Sequence, residues 1–288
     1  MYSSSPAVFK SSKPLWCDLN AREIATSTKS TCIFGHVRAA AIGGIVSEQN
    51  CHPFKYGILM MQHNGHIQDF HLIKRDMISM ISEPLFQSIN GTTDSEYFFC
   101  LLLTNLSRCD KISYEATELS DALEKTIKDV ICLLKRRNID NGFTTFNISL
   151  TDGKNLVISR FCDKPGIPPP SLYYTLVKGS SFVELINNRN HNSELGGPGD
   201  GSSKDGSSKG TSRRDILQKT HQASIRTNFT VDVSSDCAFI VSSEPLLENS
   251  DTWIPIKENS ILVYNSEQKK IFGRVINHIS DMWVNAEQ

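Results

Sequence analysis

The sequence lacks the features that would place this chain in a membrane or on nucleic acid. No apolar run reaches the roughly 18 residues that a membrane-spanning helix needs, and the N-terminus shows no signal-peptide pattern. The 30 basic and 31 acidic residues leave a formal net charge of −1. No field of one sign therefore attracts a polyanion or a membrane surface. We expect neither nucleic acid nor a membrane among its partners.

The sequence also lacks the cysteine patterns of metal sites and redox motifs. Its eight cysteines form no Cys-x-x-Cys pair, and no His and Cys cluster has zinc spacing. Several of them lie in apolar runs, which is typical of buried thiols in a reducing compartment. We therefore expect a cytoplasmic protein without a metal or another cofactor. Cys51 lies inside a candidate site motif, but as a nucleophile it would need a base, and an internal cysteine has no free α-amine.

What the sequence does contain is a cluster of short polar motifs between residues 35 and 70. Apolar, strand-like runs precede two of them, at residues 31–37 and 57–61. We predict that these motifs meet at strand ends and form an anion-binding pocket. The motifs are GHVRAA at 35–40, NCHPF at 50–54 and HNGHI at 63–67.

Arg38, Asn64 and Gly65 are the residues of these motifs with the most specific chemistry. Arg38 follows a run that we expect to be buried, and a buried guanidinium is costly unless it meets a carboxylate or a phosphate. Asn64 and Gly65 can supply a side-chain amide and a backbone N–H together, which is the chemistry of an oxyanion hole for acyl transfer. Two alternatives stay open, a structural ion pair for Arg38 and a hairpin turn for the Asn-Gly pair.

Asp94 also allows two interpretations. It lies in the segment TDSE at 93–96, which is a capping box in front of an apolar helix. An acidic residue in the first turn of a helix is stabilised by the helix dipole. The same carboxylate could bind a cationic ligand group, and the two roles are compatible.

The remaining periodicity predicts helices in the middle of the chain and strands before and after them. We predict that Leu15 and Trp16 dock on the core, that residues 187–211 form a disordered insertion rich in Gly and Ser, and that residues 276–288 form a short helix. This order suits two antiparallel sheets packed face to face with helices outside, an α+β sandwich. Helices are predicted at 19–26, 69–82, 94–106 and 120–137, and strands at 31–37, 57–63, 143–150, 155–161, 172–177, 236–243, 260–264 and 270–275.

Taken together, the motifs resemble those of the class II glutamine amidotransferases, which are N-terminal-nucleophile hydrolases. The order His-x-Arg-Ala, Asn-x-His-Pro-Phe and His-Asn-Gly-x-Ile continues with GTTDSE at 91–96. The branch with the fungal glutathione-degrading amidotransferase-like subunit and its bacterial relatives is the most similar. That resemblance implies a four-layer αββα sandwich and one amidotransferase domain over residues 1–288. Later segments agree with it, namely TDG at 151–153, GSSFVE at 179–184 and SSEPL at 242–246.

The resemblance assigns a role to each candidate site residue. It implies that Arg38 binds the α-carboxylate of a γ-glutamyl substrate and that Asp94 binds its α-ammonium. It implies that Asn64 and Gly65 form the oxyanion hole. Three histidines from the same motifs are interpreted as hydrogen-bonding residues that shape the pocket, and they are His36, His52 and His63.

The sequence departs from the family pattern in two places. The nucleophile of the family is a cysteine at the mature N-terminus with its own α-amine as base, whereas residue 2 is Tyr2 here. We therefore expect a chain that is N-terminally truncated or that starts at a wrong or alternative Met, and that does not turn over substrate alone. Truncation would remove core strands. The second departure is Ala41, where many relatives carry Thr or Ser near the substrate carboxylate.

Three functions follow as hypotheses. The first is hydrolysis of glutathione to glutamate and Cys-Gly, with a peptidase-like partner subunit. The second is a glutamine-hydrolysing amidotransferase subunit. The third is a non-catalytic binding protein that keeps the γ-glutamyl pocket. The sequence does not choose between glutathione and glutamine, and it leaves the oligomeric state open.

Overall fold

Two antiparallel sheets form the frame of the protein. The computed structural model describes residues 5–38, 46–178, 228–234, 236–246 and 252–276. The larger sheet has seven strands in the order β1-β2-β3-β4-β9-β10-β6, and the smaller one has the order β7-β5-β8. The strands are β1 Phe54–Tyr56, β2 Leu59–His66, β3 Thr145–Thr151, β4 Asn155–Arg160, β5 Tyr173–Lys178, β6 Asn228–Asp232, β7 Cys237–Ser242, β8 Ile254–Pro255, β9 Ser260–Asn265 and β10 Lys270–Val275.

Helices cover one face of the seven-stranded sheet. The described helices are α1 Leu19–Ser27, α2 Phe70–Met80, α3 Glu83–Phe86, α4 Asp94–Asn105 and α5 Ala116–Arg136, with short 3₁₀ helices at Leu15–Cys17 and Glu48–Asn50. Helix α5 is amphipathic and packs on β4 and β9, and α4 packs on β2. Helix α4 is apolar on nearly all sides because α2, α3 and α5 enclose it against the sheet.

The other face of the seven-stranded sheet packs against the three-stranded sheet. Two consecutive residues of β9 show that the sheet contacts the helices on one face and the smaller sheet on the other. Ile261 belongs to the core on the helix side, and Leu262 belongs to the core between the sheets. The ring of Phe239 on β7 lies 4.9 Å from that of Tyr264 on β9. Since both faces are covered, every residue of β3 is buried. Helices, large sheet and small sheet are therefore stacked in that order.

Most of the predicted elements are confirmed. The α+β sandwich of two antiparallel sheets with helices is present, and each predicted helix inside the described residues lies within a few residues of its expected bounds. Three short strands were not predicted, namely β1, β6 and β8. No helix among the described residues combines the length and the apolar character that a bilayer crossing requires.

The strand predicted at residues 31–37 is wrong. This segment is irregular, and its Ile33 and Val37 side chains are 73% and 76% exposed. An apolar run becomes a strand only where a neighbouring strand pairs with it, and none does so here among the described residues. The predicted docking of Leu15 and Trp16 is also wrong, because these side chains are 55% and 83% exposed.

Several predictions fall on residues that the structure does not describe. They concern Tyr2, Ala41, the motif at 179–184, the insertion at 187–211 and the terminal helix from residue 277 onward. These, and the single domain over the whole chain, stay predictions.

Candidate functional site

Asn64 and Gly65 lie at the exposed end of strand β2. They are paired with β3, where Asn64 faces Asn147 and Gly65 faces Phe146. The hairpin-turn alternative is therefore wrong, because the pair belongs to a ladder between two strands. A Cβ atom on Gly65 would overlap the carbonyl oxygen of Thr145 and crowd the ring of His63. The backbone can approach its neighbours this closely because residue 65 is glycine.

His63 is buried beneath this strand end, on the helix side of the sheet. Its Nε2 lies 2.9 Å from the carbonyl oxygen of Thr145, and its Nδ1 lies 2.9 Å from Oγ of Ser95. Burial lowers the pKa of His63, the neighbouring Arg38 and His66 lower it further, and Asp94 opposes the shift. The ring is therefore neutral. A carbonyl oxygen accepts hydrogen bonds and donates none, so Nε2 carries the proton and Nδ1 accepts the hydroxyl proton of Ser95.

Asp94 connects the end of β2 to the start of α4. Its Oδ2 accepts the backbone N–H of Ile67 at 2.8 Å, and its Oδ1 accepts the backbone N–H of Ser95 at 2.8 Å. Oγ of Ser95 also lies 3.2 Å from Oδ1 of Asp94. The one hydroxyl proton of Ser95 goes to the closer Nδ1 of His63, so the partly exposed carboxylate has lone pairs left for further donors. Asp94 thus has a structural role and can also accept donors from a ligand.

The predicted capping box is half formed. Thr93 caps α4 by accepting the backbone N–H of Glu96 at 3.3 Å. The Glu96 carboxylate does not return to Thr93, and instead it accepts the backbone N–H groups of Asn90 at 2.9 Å and Gly91 at 2.6 Å. This buried carboxylate therefore holds the loop in front of α4 in place.

Asn50 joins the NCHPF motif to the same loop. Its Oδ1 accepts the backbone N–H of Thr92 at 2.8 Å, and its Nδ2 donates to Oγ1 of Thr92 at 3.3 Å. The Cys51 thiol points to the carbonyl oxygens of Ser47 and Ser11 at 3.4 and 3.6 Å. Both residues act as local anchors, so the structure gives Cys51 a packing role.

His36 and His52 form a pair of neutral rings beside these anchors. Their ring centroids are 4.3 Å apart, and His52 also packs edge-on against Phe54. Burial is the main cause that lowers the pKa of His52 to about 2 and that of His36 to about 4, and the nearby cationic Arg38 adds to both shifts. His52 is 6% exposed, and neither of its ring nitrogens has a hydrogen-bond partner within the part of the chain that the structure describes.

Arg38 is exposed, so the prediction of a buried guanidinium is wrong. The burial argument failed because the segment before Arg38 is irregular and lies open to solvent. Among the described residues, no carboxylate lies within ion-pairing distance of Arg38. Its charge nevertheless acts on the pKa values of three buried or half-buried histidines, which are His36, His52 and His63.

The predicted site residues converge on His63. Asp94 reaches it through Ser95, Gly65 lies against its ring, and the charges of Arg38 and Asp94 both act on its pKa. A cation without an ion pair to any described carboxylate and a partly exposed carboxylate therefore act at one strand end that carries an exposed amide. Such a set can hold a ligand that carries one negative and one positive group.

A separate cavity of about 820 Å³ has Glu96 in its lining. Its other charged lining residues are Lys10, Glu48 and Lys55, and its apolar lining includes Phe54, Phe99 and Leu103. None of the predicted site residues lines this cavity. The described residues hold no group of three or more His, Cys, Asp or Glu side chains placed to share a metal ion.

Sequence reasoning missed several residues that hold this site together. Ser95 and Glu96 were visible as parts of a capping box, but their contacts with His63 and the 90–91 loop were not. Asn50 stood in a predicted motif without an assigned role. Nothing in the sequence pointed to Thr145, because its carbonyl oxygen acts through the pairing of β2 with β3.

The comparison with protein families decides the family of this chain. The family model of the class-II glutamine amidotransferases matches residues 5–178. The chain belongs to the class-II glutamine amidotransferases. The predicted family is thereby confirmed.

Two curated relatives were also found. The chain is 36% identical over 191 residues to the probable glutamine amidotransferase DUG3 of Saccharomyces cerevisiae, and this match covers 62% of this chain and 52% of that protein. It is 29% identical over 96 residues to the gamma-glutamyl-hercynylcysteine sulfoxide hydrolase of Mycolicibacterium smegmatis, and this match covers 33% of this chain and 37% of that protein. The chain thus spans about half or less of the length of these two relatives.

A solved structure supports the amidotransferase fold. It is a glutamine aminotransferase class-II domain protein from Silicibacter pomeroyi, with a TM-score of 0.59 and 18% sequence identity. The match covers 95% of this chain and 86% of that one. The two-sheet fold that the motifs implied is therefore shared with a class-II protein.

Proposed function

We propose that this class-II amidotransferase chain binds γ-glutamyl compounds and serves the hydrolysis of a γ-glutamyl amide, with glutathione as the substrate. One observation carries the proposal: the Asp94 carboxylate is tied by hydrogen bonds to Ile67 and Ser95, and through Ser95 to His63, beside the exposed Asn64-Gly65 end of β2. The charge of Arg38 acts on the same His63 ring. A γ-glutamyl group presents one carboxylate, one ammonium and one amide carbonyl, and this set of residues complements all three.

Each site residue has one role in this proposal. Arg38 binds the α-carboxylate, and its lack of a protein ion pair among the described residues leaves the guanidinium available for it. Asp94 accepts the α-ammonium through the lone pairs that Ile67 and Ser95 leave free. The amide of Asn64 and the N–H of Gly65 face the carbonyl oxygen on which negative charge develops.

The three histidines shape this pocket as neutral rings. A protonated His36 or His52 would place further positive charge next to Arg38, and burial prevents that. His63 fixes the Ser95 hydroxyl and so keeps the Asp94 carboxylate open to the ammonium. The nucleophile of the proposed reaction is the one the family uses, an N-terminal cysteine with its α-amine as base.

Glutathione is proposed over glutamine on two grounds. The motifs are most similar to the glutathione-degrading branch, and one relative is named as a hydrolase of a γ-glutamyl compound. A peptidase-like partner subunit and a cytoplasmic location complete the proposal. The location is supported by the buried thiols of Cys100 and Cys162, which form no disulfide with another described residue.

The test is a calorimetric titration of the protein with glutathione and with glutamine, together with an assay of glutamate release. We expect the wild-type protein to bind both and to bind glutathione more tightly. The substitutions Arg38→Ala and Asp94→Asn should each weaken binding roughly 10- to 100-fold, because each removes a charged hydrogen bond. Arg22→Ala is the matched control, since Arg22 is an exposed arginine on α1, and it should bind as the wild type does.

Each outcome decides one part of the proposal. Unchanged affinity in both site variants, or no binding of either compound, would overturn the proposed γ-glutamyl site. Tighter binding of glutamine than of glutathione would overturn the choice of substrate. Glutamate release by this chain alone would contradict the expectation, drawn from Tyr2, that it does not turn over substrate.

A further inference from the structure

The seven-stranded sheet changes character along the face that looks toward the three-stranded sheet. On β4, β9 and β10 this face is apolar and covered, with Ile158, Leu262 and Ile271 in the core between the sheets. On β2 and β3 the same face is polar. Side chains alternate along a strand and His63 points to the helices, so the opposite face carries Gln62, Asn64, Asn147 and Ser149.

Two carbonyl oxygens of this polar face are buried without a hydrogen-bond partner among the described residues. They are Oε1 of Gln62 and Oδ1 of Asn147, and Asn147 is only 4% exposed. Leaving a buried acceptor unsatisfied costs roughly 1–3 kcal/mol. Two such acceptors on neighbouring strands therefore need an explanation beyond packing.

The orientation of the Asn147 amide is fixed by its neighbours. Its Nδ2 donates to the carbonyl oxygens of Pro170 at 3.0 Å and of Ser171 at 3.4 Å. A flipped amide would place its oxygen against two other oxygens, so Oδ1 is the free acceptor. Within the described parts of the chain, the side chain of Gln62 makes no hydrogen bond, and it is therefore free of a structural anchor.

Both free acceptors lie next to Asn64. Asn147 is its direct partner across the β2–β3 ladder, so their Cβ atoms are about 4.5–5.5 Å apart. Gln62 precedes Asn64 by two residues on the same face, and it lies diagonal to Asn147 at about 7–8 Å. A bound substrate amide whose carbonyl oxygen faces Asn64 directs its own N–H away from that oxygen. The protein group that accepts this N–H must therefore lie a few ångströms farther along the sheet.

We propose that Gln62 and Asn147 form a leaving-group subsite whose free carbonyl oxygens accept the N–H of a bound γ-glutamyl amide. This inference rests on the proposed function and adds to it the side of the substrate that Arg38 and Asp94 do not contact. Amides, from glutamine to γ-glutamyl peptides, carry this N–H. Esters of the same glutamyl group lack it, so the subsite favours amides over esters.

The experiment compares two probes that differ in this N–H, γ-glutamyl methylamide and γ-glutamyl methyl ester, by calorimetric titration. The wild-type protein should bind the amide more tightly. Gln62→Leu should weaken amide binding roughly 3- to 10-fold, the range of one neutral hydrogen bond, and leave ester binding unchanged. The control is Met60→Leu on the same face of β2, which removes no acceptor and should leave both affinities unchanged.

Stability provides a second measurement, because Gln62→Leu removes an unsatisfied carbonyl. Its urea unfolding midpoint should equal or exceed that of the wild type. Asn147→Asp keeps an acceptor oxygen but loses the N–H that donates to the carbonyl oxygen of Pro170. It should therefore lower the urea unfolding midpoint and still bind the amide probe more tightly than the ester probe.

The possible results separate the two proposals. The subsite would be overturned if Gln62→Leu kept the wild-type ratio of amide affinity to ester affinity, which includes an equal loss of affinity for both probes. Either result would leave the proposed function intact. A wild-type protein that binds neither probe would overturn the proposed function and the subsite together.

Discussion

Gly65 is the residue whose missing side chain allows the candidate site to form. The Thr145 carbonyl oxygen and the His63 ring occupy the space that a Cβ atom at position 65 would need. The same two groups share a hydrogen bond, which sets the tautomer of His63 and, through it, the hydroxyl of Ser95. A methyl group at this position would therefore disturb the support of Asp94 as well as the strand ladder.

We predict that Gly65→Ala lowers the free energy of unfolding by about 1–3 kcal/mol, the usual cost of inserting an atom into a packed site. The matched control is Gly35→Ala, because nothing lies within 4 Å of a Cβ atom built there. That variant should stay within about 0.5 kcal/mol of the wild type. Urea denaturation measures both, and equal stabilities of the two variants would contradict the close approach at Gly65.

The candidate site residues that the sequence predicted were those whose chemistry is visible in a motif. Arg38, Asn64, Gly65 and Asp94 could be named because a guanidinium, an amide next to glycine and a carboxylate in a first turn suggest their ligands directly. Gln62 and Asn147 could not be named. What distinguishes them is a missing hydrogen bond, which depends on strand pairing across about 85 residues of sequence.

At the scale of elements, α4 is the helix that places the site. Its first residue is Asp94, and its second residue Ser95 reaches His63 on β2. The loop before it is held by Glu96 and Asn50. The position of the helix N-terminus therefore determines where the Asp94 carboxylate lies relative to the end of β2.

We predict that Thr93→Ala costs about 1 kcal/mol of unfolding free energy, because it removes the side-chain cap of α4. Ser82→Ala is the matched control at the N-cap of α3, where the side chain makes no capping hydrogen bond. It should change the stability by less than about 0.5 kcal/mol. Thermal or urea unfolding distinguishes the two, and a larger loss in Ser82→Ala would contradict the assigned cap.

Helices could be predicted better than strands for a physical reason. The helical patterns of α2 and α5 are local, since residues three and four apart share a face, and both helices lie close to their expected positions. A strand depends on a partner that is distant in sequence. The run at 31–37 has the composition of a strand but no partner among the described residues, whereas β1 and β8, with three and two residues, were too short to show a pattern.

At the scale of the whole molecule, the seven-stranded sheet separates two apolar cores. The helices enclose one core and the three-stranded sheet encloses the other. Ile261 and Leu262 are consecutive residues of β9, and they are 0% and 3% exposed on opposite faces. The sheet is therefore stabilised by an apolar core on each face. A polar patch interrupts the apolar surface on the face toward the smaller sheet only, and it consists of Gln62, Asn64, Asn147 and Ser149.

We predict that Ile261→Ala and Leu262→Ala each lower the free energy of unfolding by about 2–5 kcal/mol, the range for truncating a buried aliphatic side chain. Ile33→Ala is the control, because Ile33 is 73% exposed, and it should remain within about 0.5 kcal/mol of the wild type. Urea unfolding of the three variants provides the measurement. If Ile261→Ala lost the expected unfolding free energy and Leu262→Ala lost almost none, the smaller sheet would not cover the face that carries Leu262.

Trp16 and Trp253, two of the three tryptophans of the sequence, are optical reporters that differ in exposure. Trp16 on the N-terminal 3₁₀ helix is 83% exposed, whereas Trp253, directly before β8, is 7% exposed. Iodide in solution can collide with the indole of Trp16 and is kept away from that of Trp253. The fluorescence of Trp16 will follow changes around the 3₁₀ helix at Leu15–Cys17. The fluorescence of Trp253 will follow the opening of the smaller sheet.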